Sequence, residues 1–189
     1  MKMHDFPVIY NEEARLAAVD RLGLFDHAPE QRFDRITRLA AYMTSAPMAI
    51  LSLVGAQRQW FISHHGLMEQ AISREWSLCN YTLIEQDMFM VENAAQDARF
   101  ERNPFVTGAP HLRFYAGMPL PDEQGHRVGV LCVVDTVARH LSSVQVHALH
   151  DLAKLAAETL VHAGHAVSAA RAAEETTRAH AGHRPGDSA

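Results

Sequence analysis

The chain has little cysteine: among 189 residues only Cys79 and Cys132 occur. Two distant thiols cannot build a disulfide framework, and without clustered histidine partners they cannot complete a zinc site. Long hydrophobic runs are missing too. The longest, around Met48 to Ala56, falls far short of the ~20 residues that a membrane-spanning helix requires. The opening MKMHDFPVIY lacks the apolar stretch of a secretory signal and carries an early aspartate. Basic residues are scattered and the formal net charge is −5, which argues against a nucleic-acid or anionic-membrane surface. Catalytic signatures are equally scarce, with no glycine-rich phosphate loop, HExxH pair or GxSxG elbow. These absences together read as a cytoplasmic protein with reduced thiols.

What remains is ordinary globular material, 48% hydrophobic and 21% charged, long enough for one well-buried domain with appendages. Asn11, Glu12 and Glu13 start a helix that runs to about Arg21, with Leu16 and Val19 inward and Gly23 closing it. A second helix follows Pro29. Its apolar positions are Phe33, Ile36, Leu39, Ala40 and Met43, and Pro47 stops it. MAILSLV at 48–54 is apolar on both alternating sets, hence a central strand, and Gln59–His65 returns as a hairpin partner nearer an edge. Residues 66–76 give no clean period; a short helix at Ser77–Gln86 and a short strand at Met88–Glu92 follow.

The stretch Asp97 to Leu120 is the most informative. Its loop, FERNPFVTGAPH, is too rich in proline for a helix interior or a paired strand, yet Phe100, Phe105 and Val106 make it too apolar for a solvated connection. In the strand that follows, Leu112, Phe114, Ala116, Met118 and Leu120 alternate with Arg113, Tyr115, Gly117 and Pro119, so the first set faces a core. Arg127–Asp135 is a second central strand. Ser142 and Gln145 then form a capping box for a long helix striped by Val146, Leu149, Leu152, Ala153, Ala156 and Leu160. Past Gly164 the chain is alanine-rich, and from Gly182 onward it reads as disordered. The domain division expected is an arm at 1–10, a domain at 11–162 and a helical extension with its tail at 163–189.

Four segments carry a family resemblance: RQWF at 58–61, SLCNYTL at 77–83, DARFERNPFVTGAPHLRFYAG at 97–117 and GVLCVVDT at 129–136. In order and spacing they resemble one group of bacterial GAF domains, over roughly residues 11 to 160. The resemblance implies an α+β GAF fold. That means a five- or six-stranded antiparallel sheet with long helices forming a dimerisation face on one side and a ligand pocket on the other. It also implies signalling, a pocket being coupled to an effector through the terminal helix. The chain departs from several members of the family. Neither cysteine is followed by the histidine common at bilin attachment sites, and the NKFDE-type motif of cyclic-nucleotide-binding members is missing. Tyr81 stands where the related group commonly has histidine, so that histidine's role is not carried over.

The residues suggest a pocket whose wall is Trp76, Cys79, Tyr81, Phe100, Phe114 and Tyr115, with Asp97, Asn103 and Arg113 as convergent polar groups and His111 within reach. The bland alternative is an Arg113–Asp97 pair bracing the loop, with Arg99 and Asp135 as further braces. The 13 histidines include pairs three apart, His147/His150, His162/His165 and His180/His183, which read better as solvated helix faces than as metal sites. His64 and His65 point to opposite strand faces. The expectation is a non-catalytic small-molecule sensor, homodimeric through its helices and acting on a separate effector protein or within a longer chain, with its cofactor unknown. Two alternatives stay open: a free methionine sulfoxide reductase-like enzyme using Cys79, with Cys132 packed away in its strand, or a dimerisation scaffold with a filled pocket.

Overall fold

MAILSLV and RVGVLCVVD are apolar on both alternating sets, so each belongs where both sheet faces are covered. In the computed structural model, which describes residues 6–26 and 30–182, they are the two central strands. In chain order the elements are α1 (Glu12–Leu22), α2 (Gln31–Thr44), β1 (Met48–Val54), β2 (Arg58–His65), β3 (Ala71–Ser73), α3 (Cys79–Ile84), β4 (Phe89–Val91), α4 (Pro104–Thr107), β5 (Phe114–Pro121), β6 (Arg127–Asp135) and α5 (Ser143–Gly182). The strands form one antiparallel, six-stranded sheet in the order β3-β2-β1-β6-β5-β4. Its edges, β3 and β4, are three residues each, too short to template further pairing. The fold is α+β, as expected. The aperiodic stretch 66–76 hides β3 and a single 3-10 turn at Arg74–Trp76.

One sheet face packs under α1, α2 and α5. Phe114, Ala116, Met118 and Leu120 of β5 join Leu51, Leu53, Leu131 and Val133 there, against Phe33, Ile36, Leu149, Ala153, Ala156 and Leu160 from the helices. Each fully buried leucine contributes about 1.5–3 kcal/mol. The other face carries a second cluster under α3, α4 and their loops, including Ile50, Cys79, Phe89, Phe100, Val106, Tyr115, Cys132 and Val134. Leu112, expected with the first set, precedes β5 and belongs to this second cluster.

Two helices are rotated from their expected settings. On α2, Thr37, Ala41 and Thr44 are buried beside Phe33, Ile36 and Ala40, whereas Leu39 and Met43 are 44% and 50% exposed. Thr37 and Thr44 can turn inward because their hydroxyls find partners, Ser63 at 2.9 Å and the Ala40 carbonyl at 2.6 Å. On α1, Arg15 is only 1% exposed while Leu16 is half-buried. Gly23 ends that helix in the left-handed region at φ 63°, as expected.

The capping box of α5 forms: the Ser142 N–H donates to Gln145 Oε1 (3.0 Å), and the Gln145 N–H to Ser142 Oγ (3.3 Å). The helix continues unbroken past Gly164, which lies so close to α1 that a Cβ there would meet Leu22 Cδ2 at 2.8 Å. Val167 is the last hydrophobic side chain packed on the core; residues 168–178 are exposed, with the Arg171 guanidinium still beside Gly23. A chain ending at Val167 is therefore expected to melt within ~2 °C of the full chain by circular dichroism. A marked loss would mean that the distal turns pack on something. The expected disorder after Gly182 and the first half of the N-terminal arm lie outside the described residues.

Candidate functional site

Two openings lie on the sheet face opposite the long helices. The first is an apolar cleft of about 210 Å³. Met48 and Ile50 of β1, Phe61 of β2, Ile72 of β3 and Val134 of β6 line its sheet side; Phe105, Ala109, Pro110 and Leu112 line its loop side. Leu67 and the exposed Glu69 sit at the edge. Arg113 holds the loop in place, its Nη1 donating to the carbonyls of Val106 (3.0 Å), His111 (3.1 Å) and Leu112 (3.0 Å). His111 is exposed at φ 60° and lines neither opening. The loop's hydrophobic anchors, read from sequence as too apolar for solvent, thus form one wall of a hollow.

The second opening, about 170 Å³, gathers four of the expected residues, Trp76, Tyr81, Phe100 and Asn103, with Glu75, Arg99 and Arg102. Asn103 caps α4 through the Phe105 N–H (2.9 Å) and donates to the Trp76 carbonyl (2.9 Å). Beneath it the space is solid. Tyr81, Phe89, Phe100 and Tyr115 contact one another with ring centroids 4.8–6.2 Å apart. Arg99 lies over three of those rings, at 5.6 Å from Tyr81, 5.0 Å from Phe89 and 5.1 Å from Phe100.

Two expectations are corrected here. Asp97 pairs with Arg99, not Arg113, through Nε at 2.9 Å and Nη2 at 2.6 Å, and those hydrogen bonds hold its carboxyl below the usual range. With only Ala98 between them, Arg99 reaches Asp97 more readily than a loop closure brings Arg113. Phe114 is on the opposite face, under α2 and α5, so it is no part of a pocket wall. Asp135 does act as a brace, accepting from Arg139 Nη1 at 2.9 Å.

Cys79 and Tyr115 belong to a fully buried polar centre between the openings. Cys79 Sγ accepts from Gln59 Nε2 (3.1 Å) and from the Tyr115 hydroxyl (3.3 Å), and Cys132 belongs to the same buried cluster. Gln59 is itself fixed, its amide donating to Ser52 Oγ at 2.7 Å and its carbonyl accepting from Ser77 Oγ. The Tyr115 hydroxyl also meets Thr82 Oγ1 at 2.6 Å. Gly117 makes this possible: a Cβ there would collide with the Tyr115 hydroxyl and Thr82, so the phenol lies along the strand over the glycine. Burial alone would push the Cys79 thiol up; the hydrogen bonds from Cys132, Tyr115, Ser77 and Gln59 outweigh it and bring it down to about 7. Cys132 and Tyr115 are both pushed well up, the former by its bond to Cys79 and then by burial, the latter by burial and then by the Cys79 charge. Cys132 is packed in its central strand as expected, 1% exposed, and it faces the same buried cluster as Cys79. Sequence reasoning missed Ser52, Gln59, Ser77 and Thr82; the legible signal was the polar Ser52 inside the otherwise apolar MAILSLV strand.

Among the described residues, no three His, Cys, Asp or Glu side chains converge as a metal site. Nor is any helix among them long and apolar enough to cross a membrane.

The profile of the GAF domain family matches residues 28–160. The chain belongs to the GAF domain family. A cyclic di-GMP phosphodiesterase of Pseudomonas aeruginosa is 38% identical to this GAF chain over 133 residues, which is 70% of the chain and 23% of that protein. The GAF domain of a phosphoenolpyruvate-protein phosphotransferase from Coxiella burnetii superposes with a TM-score of 0.61 at 14% identity, covering 84% of this chain and 99% of that one. A type II free methionine-R-sulfoxide reductase from Thermoplasma acidophilum gives 0.57 at 13% identity, with 70% and 91% covered. Identities this low establish the shared fold alone. The chain spans under a quarter of the phosphodiesterase.

Proposed function

We propose that this GAF domain is a non-catalytic, cytoplasmic sensor of a small and mainly apolar molecule, held in the cleft between the sheet and the 105–112 loop. The cleft itself carries the reading: a space of about 210 Å³ with hydrophobic side chains on both walls and the Glu69 carboxylate at its edge. A compact apolar body bearing an amine or hydroxyl donor suits that lining. The hollow edged by Trp76, Tyr81, Phe100 and Asn103 is less suited, because Arg99 already engages its rings.

Sensing needs an output, and a ligand shifts an equilibrium only by its differential affinity for two states. The output in this reading is α5, which leaves the body after Val167. A second copy of the chain packs on the outer faces of α2 and α5, where Leu39, Tyr42, Met43 and Leu155 are 44%, 65%, 50% and 47% exposed. The similarity to a cyclic di-GMP phosphodiesterase favours a cyclic-dinucleotide signalling protein as the effector, in the same chain or in a partner.

The test uses neutral phenylnaphthylamine as an apolar probe. Its fluorescence is expected to rise saturably on binding, and Leu67→Trp, at the cleft edge, should weaken binding by about tenfold, ~1.4 kcal/mol, at unchanged Tm. Equal binding by both proteins would remove the cleft from the account. A concentration-independent monomer in sedimentation would remove the dimer and leave the cleft untouched.

A further inference from the structure

We propose that Cys79 and Cys132 form a reversible redox pair, in which a hydroperoxide oxidises Cys79 and Cys132 then closes a disulfide tying the start of α3 to central strand β6. These are the only two cysteines of the chain, and the fold brings them together from elements more than fifty residues apart: Cys132 is paired across the sheet with Gly117, the Tyr115 hydroxyl lies over that glycine, and the same hydroxyl is 3.3 Å from Cys79 Sγ. The centre around Cys79 is built for a charged sulfur. A neutral thiol is a weak acceptor, and a buried amide and phenol ordinarily seek oxygen. Here Gln59 and Tyr115 both aim donors at Sγ, each held by buried groups of its own, Ser52 and Ser77 for one and Thr82 for the other. Donors converging on one sulfur stabilise its thiolate, the nucleophilic form. The lowered Cys79 thiol and the raised Cys132 thiol fit an attacking thiolate beside a protonated partner.

A route to the pair also exists. Cys132 is paired across the sheet with Ile50, and Val134 follows two residues on along the same face; both Ile50 and Val134 line the apolar cleft. The cleft therefore ends one side chain away from the thiols. The chemistry stands whether or not that cleft also takes a signalling ligand.

The steps balance as follows in atoms and electrons. The Cys79 thiolate attacks one oxygen of the hydroperoxide, the O–O bond breaks, and Cys79 becomes a sulfenic acid. The alkoxide or hydroxide leaves with the proton that Cys79 gave up, as an alcohol or water. The Cys132 sulfur then attacks the sulfenic sulfur; the S–S bond forms, the S–O bond breaks, and hydroxide departs with the Cys132 proton as water. Two thiols lose two electrons and the O–O bond accepts them. An external dithiol reduces the Cys79–Cys132 disulfide back to two thiols by exchange and is itself oxidised to a disulfide.

The full chain is treated with near-stoichiometric hydrogen peroxide or cumene hydroperoxide, then alkylated under denaturing conditions and measured by intact mass and peptide mapping. The expected product has lost two hydrogens, carries a Cys79–Cys132 linked peptide, resists alkylation at both thiols and returns on dithiothreitol treatment. Faster reaction with cumene hydroperoxide would assign the cleft as the route; faster reaction with hydrogen peroxide would assign direct diffusion. Cys132→Ser should stop at a sulfenic acid trapped by dimedone on Cys79. Tyr115→Phe, which removes a positioning hydroxyl, should slow oxidation roughly tenfold near neutral pH and move its pH midpoint upward. The pair is refuted if Cys79 over-oxidises while Cys132 stays free, if the disulfide is intermolecular, or if oxidation occurs only after unfolding in urea.

Discussion

Glu12→Gln is expected to lower the unfolding free energy by about 3 kcal/mol, the size of effect seen when one partner of a buried ion pair is removed. Glu12 is the anion between two guanidiniums that water does not reach: Arg15 and Arg74 are 1% and 3% exposed. Arg15 binds it through Nε (2.9 Å) and Nη2 (2.7 Å), and Arg74 through Nη1 (2.5 Å). The same arginines reach the carbonyls of Val54 (2.7 Å) and Gly55 (3.1 Å), and Arg74 also meets Asn80 Oδ1 at 2.9 Å. A glutamine would leave both cations buried without a counter-charge and turn amide hydrogens toward other donors. Urea unfolding measures the loss. The pH dependence gives a second signature. Burial raises the Glu12 carboxyl, but the bonds from Arg15 and Arg74 outweigh it, so it lies below its ordinary 4.5. A depressed acid stabilises the fold above the unfolded-state pKa and loses that contribution as pH falls through the folded one. The wild type should therefore lose stability in acid more steeply than Glu12→Gln. Parallel pH profiles would show that the carboxylate contributes nothing.

Gly117→Ala is expected to destabilise by about 1–3 kcal/mol through overpacking and, separately, to move the Cys79 thiol back up. The new methyl would occupy the place of the Tyr115 hydroxyl and of Thr82 Oγ1. Tyr115 is 2% exposed and cannot swing into solvent, so it must tilt away from Cys79. Thiolate absorbance against pH reads the midpoint, expected near 7 in the wild type and higher in the variant. An unchanged midpoint in a destabilised variant would show that the phenol does not hold the thiolate.

These outcomes bear on what the sequence could and could not disclose. The central strands were legible because burial on both faces leaves an unbroken apolar run, and the β5 alternation from Phe114 to Leu120 placed its two faces correctly. The setting of α2 was not, because periodicity counts Leu39 and Met43 as inward, whereas threonines with satisfied hydroxyls took those places. The Asp97–Arg113 pair failed against a nearer cation two residues away. The meeting of Cys79 and Cys132 in one buried cluster depends on strand order, β6 lying between β1 and β5, which no local pattern encodes. The loop holding Phe105 and Val106 read as too apolar for a solvated connection, and a hollow lies behind it, although beneath Tyr81 and Phe100 the space is filled.

The single uninterrupted α5 turns a small rotation into a large displacement. Its turns after Val167 extend the rod by fifteen residues, roughly 22 Å at 1.5 Å per residue. A tilt of about 5° at the body would then sweep the far end through ~2 Å, enough to change which side chains meet there. Amplification of this kind depends on stiffness alone, so a pair of glycines placed just after Val167 would silence the far end while leaving everything upstream intact.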